Sequence, residues 1–126
     1  MSENADWRRR LTEVRDRSQC RITTWGRRTG RRHTVTIWFA AGDGDTIWLS
    51  TLRTDRDWPK NVAKNPDVEI EIGDLRLRGE ARTVSDEALC RRIEEALRSK
   101  YLVARIGGWF GLRPQAVYQV RVSGAA

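Results

Sequence analysis

Cysteine and histidine are scarce in this chain, and long apolar runs are missing altogether. Its 126 residues include two cysteines, Cys20 and Cys90, and one histidine, His33. Neither cysteine stands in C-x-x-C spacing, and with a single histidine a zinc site of the usual ligands is not expected. Both cysteines read as buried small hydrophobes, kept reduced in a cytosolic chain. No stretch approaches the roughly 20 apolar residues of a membrane span. The N-terminal segment MSENADWRRRLTEVRDR lacks the apolar core of a secretory signal, so the expected location is the cytoplasm. Hydrolytic signatures are also missing: there is no G-x-S-x-G, no H-E-x-x-H and no carboxylate pair at a recognisable spacing.

Positive charge is abundant. Lysine and arginine number 24 against 17 aspartates and glutamates, for a net charge of +7. The excess is uneven, because Arg17 to Gly42 holds six arginines and no acid. Such a block attracts anions of any kind, whether nucleic acid, phosphate or a polyanionic cofactor. With 39% hydrophobic residues and six tryptophans, the composition is that of a folded chain. Its length fits one domain over residues 1–126.

Periodicity gives the order of elements. Trp7, Leu11 and Val14 recur at helical spacing, predicting a helix within residues 1–18. CRITTW and RHTVTIWFAA read as strands about the turn GRRTG, and TIWLST returns after the tight turn AGDGD. DWPKNVAKNP predicts a two-turn helix near 57–65, with Asp57 as its cap and Asn65-Pro66 as its stop. VEIEI and LRLRGEA alternate strictly about Gly73-Asp74, the signature of a hairpin with one apolar face. A helix near 86–100 follows, with Ser85 as its expected cap and Leu89, Ile93 and Leu97 as its buried stripe. AVYQVRV is a sixth strand. Hairpins dominate and no βαβ rhythm is present, so the expected fold is mainly β (α+β): a six-stranded antiparallel barrel, closed or split, over residues 20–122, with short flanking helices.

Two stretches carry chemistry. GRRTG lacks P-loop spacing and lies between strands, yet it gathers backbone N–H groups, the Thr29 hydroxyl and the guanidinium forks of Arg27 and Arg28. It is either a solvated turn or a phosphate anchor. His33 beside it is either a polar strand end or an imidazole that holds phosphate or supplies a proton. In LSTLRTDRDWPKN, Ser50, Thr51 and Arg53 suit a polar anchor, Trp58 a ring over a flat heterocycle, and Asn61 an amide to pair with it. Trp58 reads equally well as the core anchor of its helix.

Taken in order, Thr23-Thr24-Trp25-Gly26-Arg27-Arg28-Thr29-Gly30, Trp38-Phe39, Leu49-Ser50, the Trp58, Asn61, Val62, Asn65, Pro66 pattern and Val68, Ile70, Ile72 resemble the flavin/deazaflavin oxidoreductases. The similarity is to the deazaflavin-dependent nitroreductase and quinone-reductase branch, related to pyridoxamine 5'-phosphate oxidase-like split barrels. It spans roughly residues 20–84. The resemblance implies a split β-barrel, usually a homodimer, that holds coenzyme F420 or FMN in a groove. Hydride would pass from reduced deazaflavin to a small electrophile such as a quinone, an activated alkene or a nitro compound.

By position, the resemblance puts Arg28 at the cofactor's phosphate, with Arg27 and Thr29 close by. Thr34, Val35, Ile37 and Trp38 would pass beside the cofactor, Ser50, Thr51, Leu52 and Arg53 would line it, and Trp58 and Asn61 would complete it. Trp109 and Phe110 are candidates for the substrate wall, and Tyr101 is a candidate proton donor. The chain departs from its relatives in having His33 where arginine is common and Thr36 where proline is. Three rival readings remain: an FMN-dependent reductase or oxidase, a non-catalytic cofactor-binding member, and a nucleic-acid-binding barrel.

Overall fold

A computed structural model describes residues 3–101 and 115–126. The described elements are α1 (Glu3–Val14), β1 (Gln19–Trp25), β2 (Arg32–Ala41), β3 (Thr46–Thr51), α2 (Asp57–Lys64), β4 (Asp67–Ile72), β5 (Leu75–Thr83), α3 (Glu87–Lys100) and β6 (Ala116–Ala125). The strands close into one antiparallel barrel in the order β1-β2-β3-β6-β5-β4. This is the six-stranded architecture that the alternation of the sequence predicts. None of the described helices is long and apolar enough to cross a membrane.

Alternation sorts the side chains. Along β4 and β5, Val68, Ile70, Ile72, Leu75, Leu77 and Ala81 point inward and are buried. Glu69, Glu71, Arg76 and Arg78 point outward across the same ladder. The helices then cover what the barrel leaves open. α1 contributes Trp7 and Leu11 to the barrel core, and α2 contributes Trp58 and Val62. α3 lies against the outer face of β2, β3 and β6, burying Ile93 and Leu97 with Ala40, Trp48 and Val117. Each large apolar side chain removed from water this way contributes on the order of 2–3 kcal/mol, so each helix is fixed by a few residues. Trp7 of α1 and Trp58 of α2 are buried against the barrel, and Trp48 of β3 is buried beneath α3.

Three local expectations are corrected. The N-cap of α3 is Asp86, whose carboxylate accepts the Leu89 N–H at 2.8 Å. Ser85 stands one residue too early to reach it. Asp57 is the first helical residue of α2, and the cap position is Arg56, which makes no side-chain capping bond. Cys20 is buried as expected, but Cys90 is only partly so, its thiol directed to the Val84 carbonyl at 3.2 Å.

β2 serves two neighbours in succession. Residues 32–38 pair with β1, and residues 39–41 pair with β3. At the changeover the Phe39 N–H donates to the Tyr101 hydroxyl at 3.0 Å, and the Phe39 carbonyl accepts from Lys100 Nζ at 2.8 Å. The end of α3 thus supplies side-chain partners at the point where the ladder switches strands.

Candidate functional site: a basic turn against a short helix

The β1–β2 turn is drawn tight by its own backbone. Gly26 N–H donates to Arg31 O and Gly30 N–H to Gly26 O, each at 2.8 Å. Gly30 sits at φ 72, a left-handed conformation that glycine adopts without penalty. A side chain at Gly26 would place its first carbon 2.9 Å from Thr29 Oγ1, so both glycines are required by the shape. The Thr29 hydroxyl accepts the Arg31 N–H at 3.2 Å.

Asn61 anchors this turn to α2. Only 2% exposed, it accepts the Arg27 N–H at 3.2 Å and Arg27 Nη1 at 2.9 Å through one oxygen. Its amide nitrogen donates to Thr24 Oγ1 at 3.0 Å. Asp57, one turn earlier on the helix, lies 3.5 Å from Arg27 Nη1. The amide that the sequence offers to a flat heterocycle is bonded within the protein to Arg27 and Thr24, where it positions the turn.

Residues 26–29 and 31–33, with Asp57 and Asn61, line a cleft of about 230 Å³. The four arginines of this turn divide into two kinds. Arg27 is engaged by Asp57 and Asn61, and Arg32 by Glu69 at 3.1 Å. Among the described residues, the guanidinium groups of Arg28 and Arg31 meet no carboxylate, and the N–H groups of Arg28 and Thr29 meet no acceptor. Two guanidinium forks, two free amides and the His33 imidazole therefore share one cleft. An anion with several oxygens is the ligand such donors suit. A larger concavity of about 570 Å³ on β4, β5 and β6 sets Asp67, Glu69 and Glu80 against Arg78 and Arg121, with no excess of positive charge.

The other candidates are spread over the molecule. Along β2, Val35 and Ile37 pack toward the core, whereas Trp38 packs beneath α3. Alternation prevents those side chains from all facing one ligand. Trp58 is 5% exposed and its ring lies 5.0 Å from that of Tyr118, the core-anchor reading of that residue. Thr51 Oγ1 donates to Arg53 O at 2.8 Å, and the Arg53 guanidinium grips Asp55 at 3.0 and 2.6 Å. Arg53 is thus already paired. Ser50, Thr51, Leu52 and Arg53 do not line the turn's cleft, and Leu52 is exposed. Trp109 and Phe110 lie outside the described residues.

Tyr101, the candidate proton donor, has its hydroxyl engaged within the protein. Its ring is 7% exposed and stacks on Trp38, centroids 4.4 Å apart. Its hydroxyl accepts the Phe39 N–H and lies 2.5 Å from Ser18 O and 2.8 Å from Phe39 O. Burial pushes its pKa up to about 12. The proton is committed to backbone carbonyls roughly 20 Å along β2 from His33, at about 3.3 Å per residue. In the sequence Arg31 enters only as a neighbour that, with Arg32, could compensate for His33, and the structure puts it in the cleft lining. The repeat of paired arginines about Gly30, Arg27-Arg28 and Arg31-Arg32, is the signal that marks it.

A small antiparallel barrel with a basic cleft beside one strand turn is an architecture for holding an anionic cofactor. The family model for F420H(2)-dependent quinone reductase matches residues 4–104, and the chain belongs to that family. It is an oxidoreductase of the F420-dependent class. No curated protein matches the chain. Among solved structures it is similar to an F420-H2 dependent reductase (FDR-A), at 22% identity and TM-score 0.66 over 82% of this chain and 94% of that one. It is also similar to a putative pyridoxamine 5'-phosphate oxidase from Listeria innocua, at 18% identity and TM-score 0.65 over 97% and 96%. A third, described as a domain-swapped dimer, shows 22% identity and TM-score 0.66 over 92% and 98%. These likenesses carry the fold. The cofactor F420 rests on the family; the guanidinium and amide donors of the cleft are of the chemical type that phosphate and carboxylate groups take.

Proposed function

We propose that the turn at residues 26–33 holds the phosphate side of F420, and that the chain delivers hydride to a quinone, an activated alkene or a nitro compound. The observation that carries this reading is the pair of unpartnered guanidinium groups, Arg28 and Arg31, beside the free amides of Arg28 and Thr29. When bound, the cofactor supplies the hydride, so the protein needs no nucleophile or acid–base triad. Arg28 and Arg31 hold the anionic end, and His33 faces the same cleft. Asn61 and Asp57 keep Arg27 and the turn in place, so that the donors meet the cofactor already arranged. A homodimer is the assembly we favour, supported by the domain-swapped dimer found among structures of this fold.

The test is turnover of reduced F420 followed by its absorbance, with a quinone, an enone and a nitroaromatic offered in turn. Oxidation that depends on both protein and acceptor is the expected result. Turnover with reduced FMN in place of F420 would overturn the cofactor assignment.

A further inference from the structure

The outer face of β4, β5 and β6 is bent by a bulge. Arg78 pairs with Gly124 and Gly79 with Val122, so Ser123 has no partner across the ladder; its hydroxyl donates to Arg78 O at 3.2 Å. An extra residue of this kind bends its strand. A side chain at Gly79 would run into Arg121 O, so the two strands close up only over a glycine. The result is the hollow of about 570 Å³, whose lining includes the buried Val68 and Val122 and the half-buried Trp25. That volume is within the range of small-ligand sites. It shares no lining residue with the cleft at the β1–β2 turn.

Subtracting the ion pairs made within the fold leaves three charges in the hollow. Glu69 is held by Arg32 at 3.1 Å and Arg76 at 3.6 Å, and Glu80 by Arg82 at 3.1 Å. Asp67, Arg78 and Arg121 form no ion pair among the described residues. Arg78 and Arg121 are diagonal neighbours on one face of the β5–β6 ladder. Asp67 stands on β4 directly opposite Glu80, whose other neighbour is Arg121. Like charges set opposite each other are unfavourable, and a cation beside Asp67 relieves that. One side of the hollow thus offers a carboxylate and the other two guanidinium groups, two strand spacings or about 9–10 Å apart.

We infer that this hollow is a second ligand site, separate from the cofactor cleft, and that it takes a free amino acid with an apolar or aromatic side chain. The ammonium group meets Asp67, the carboxylate meets Arg78 and Arg121, and the side chain lies against Trp25 and the two valines. Allowing about 2.8 Å for each charged contact leaves roughly 4 Å between the ligand's charged groups, the span of an amino acid and too short for a peptide. A second copy of the chain fits the hollow poorly, because a two-fold contact here sets hollow over hollow and leaves both unfilled. The charges are exposed, so the binding is weak and declines as salt rises.

The experiment titrates the full chain by saturation-transfer NMR with three probes: L-phenylalanine, its amide, which lacks the carboxylate, and its N-acetyl form, which lacks the ammonium group. The proteins are the wild type, Arg78→Ala/Arg121→Ala and Asp67→Asn, each checked for its fold by circular dichroism. L-Phenylalanine should saturate the wild type with a Kd of roughly 1 mM, and each blocked probe should bind roughly three- to tenfold more weakly. The arginine variant should bind L-phenylalanine no better than the amide, and Asp67→Asn no better than the N-acetyl form. Affinity for oxidised F420, measured alongside, should be the same in all three proteins. Equal binding of the three probes, no binding of L-phenylalanine, or variants that leave it unchanged would overturn the assignment. So would a change of sedimentation coefficient in the arginine variant without any bound probe, which would make this face a contact between copies. Loss of F420 affinity in that variant would overturn the separation of the two sites.

Discussion

The two ends of β2 use cations in opposite ways. At the Arg32 end, Arg28 and Arg31 line a cleft and form no ion pair among the described residues, and Asp57, the carboxylate of that cleft, lies against Arg27. At the Ala41 end, Lys100 Nζ donates to Arg15 O at 3.0 Å and Phe39 O at 2.8 Å and lies 3.7 Å from the centre of the Phe39 ring. Tyr101 fills the remaining demand of Phe39. One end keeps two guanidinium groups available, and the other commits the Lys100 and Tyr101 donors to backbone carbonyls. Chemical type alone therefore does not mark a site; what marks it is a donor the fold leaves unspent. The tyrosine that looked catalytic by type belongs to the closed end.

The contrast can be broken at either end. Replacing both Arg28 and Arg31 with alanine removes two charge-assisted contacts and should weaken F420 binding roughly ten- to hundredfold, with the melting temperature nearly unchanged. Asn61→Leu strikes where cleft and core meet. It strips Thr24 and Arg27 of a buried partner, so urea unfolding should show a loss of about 2–3 kcal/mol together with weaker cofactor binding. Tyr101→Phe leaves the Phe39 N–H without its acceptor and should cost about 1–2 kcal/mol of stability, while affinity for F420 holds.

A further effect is one of pH. Burial lowers the Lys100 pKa to about 8, against an ordinary value of 10.5. Between those values the unfolded chain binds more protons, so this lysine's contribution to stability rises with pH. Cys20 and Tyr101, both pushed up to about 12, act in the opposite direction once their unfolded forms ionise. The comparison must therefore be made between wild type and Lys100→Met, in which that background cancels. From pH 8 to 10.5 the wild type should gain on the variant in denaturant midpoint.

The strict alternation of VEIEI and LRLRGEA made β4, β5 and their shared register legible, and the apolar stripe of α3 was equally plain. The basic turn was legible as a candidate because its composition is local. The division of labour among its arginines was not, because it depends on Asp57 and Glu69, which lie 30 or more residues away. Trp58, Arg53 and Tyr101 were assigned by type, and each has a partner, Tyr118, Asp55 or Phe39, that decides its role. The changeover in β2 coincides with the end of its alternation, which holds over residues 32–37 and gives way to a covered apolar run over 38–41.

The central claim is that the unspent donors of the turn hold the cofactor and that the closed end does not. It is tested most directly by titrating wild type, Arg28→Ala/Arg31→Ala and Tyr101→Phe side by side with oxidised F420 at one salt concentration. The account expects saturation by wild type and Tyr101→Phe at similar concentrations, with the arginine variant shifted at least tenfold. An arginine variant that binds as the wild type does, or a Tyr101→Phe protein that is folded and fails to bind, would contradict it.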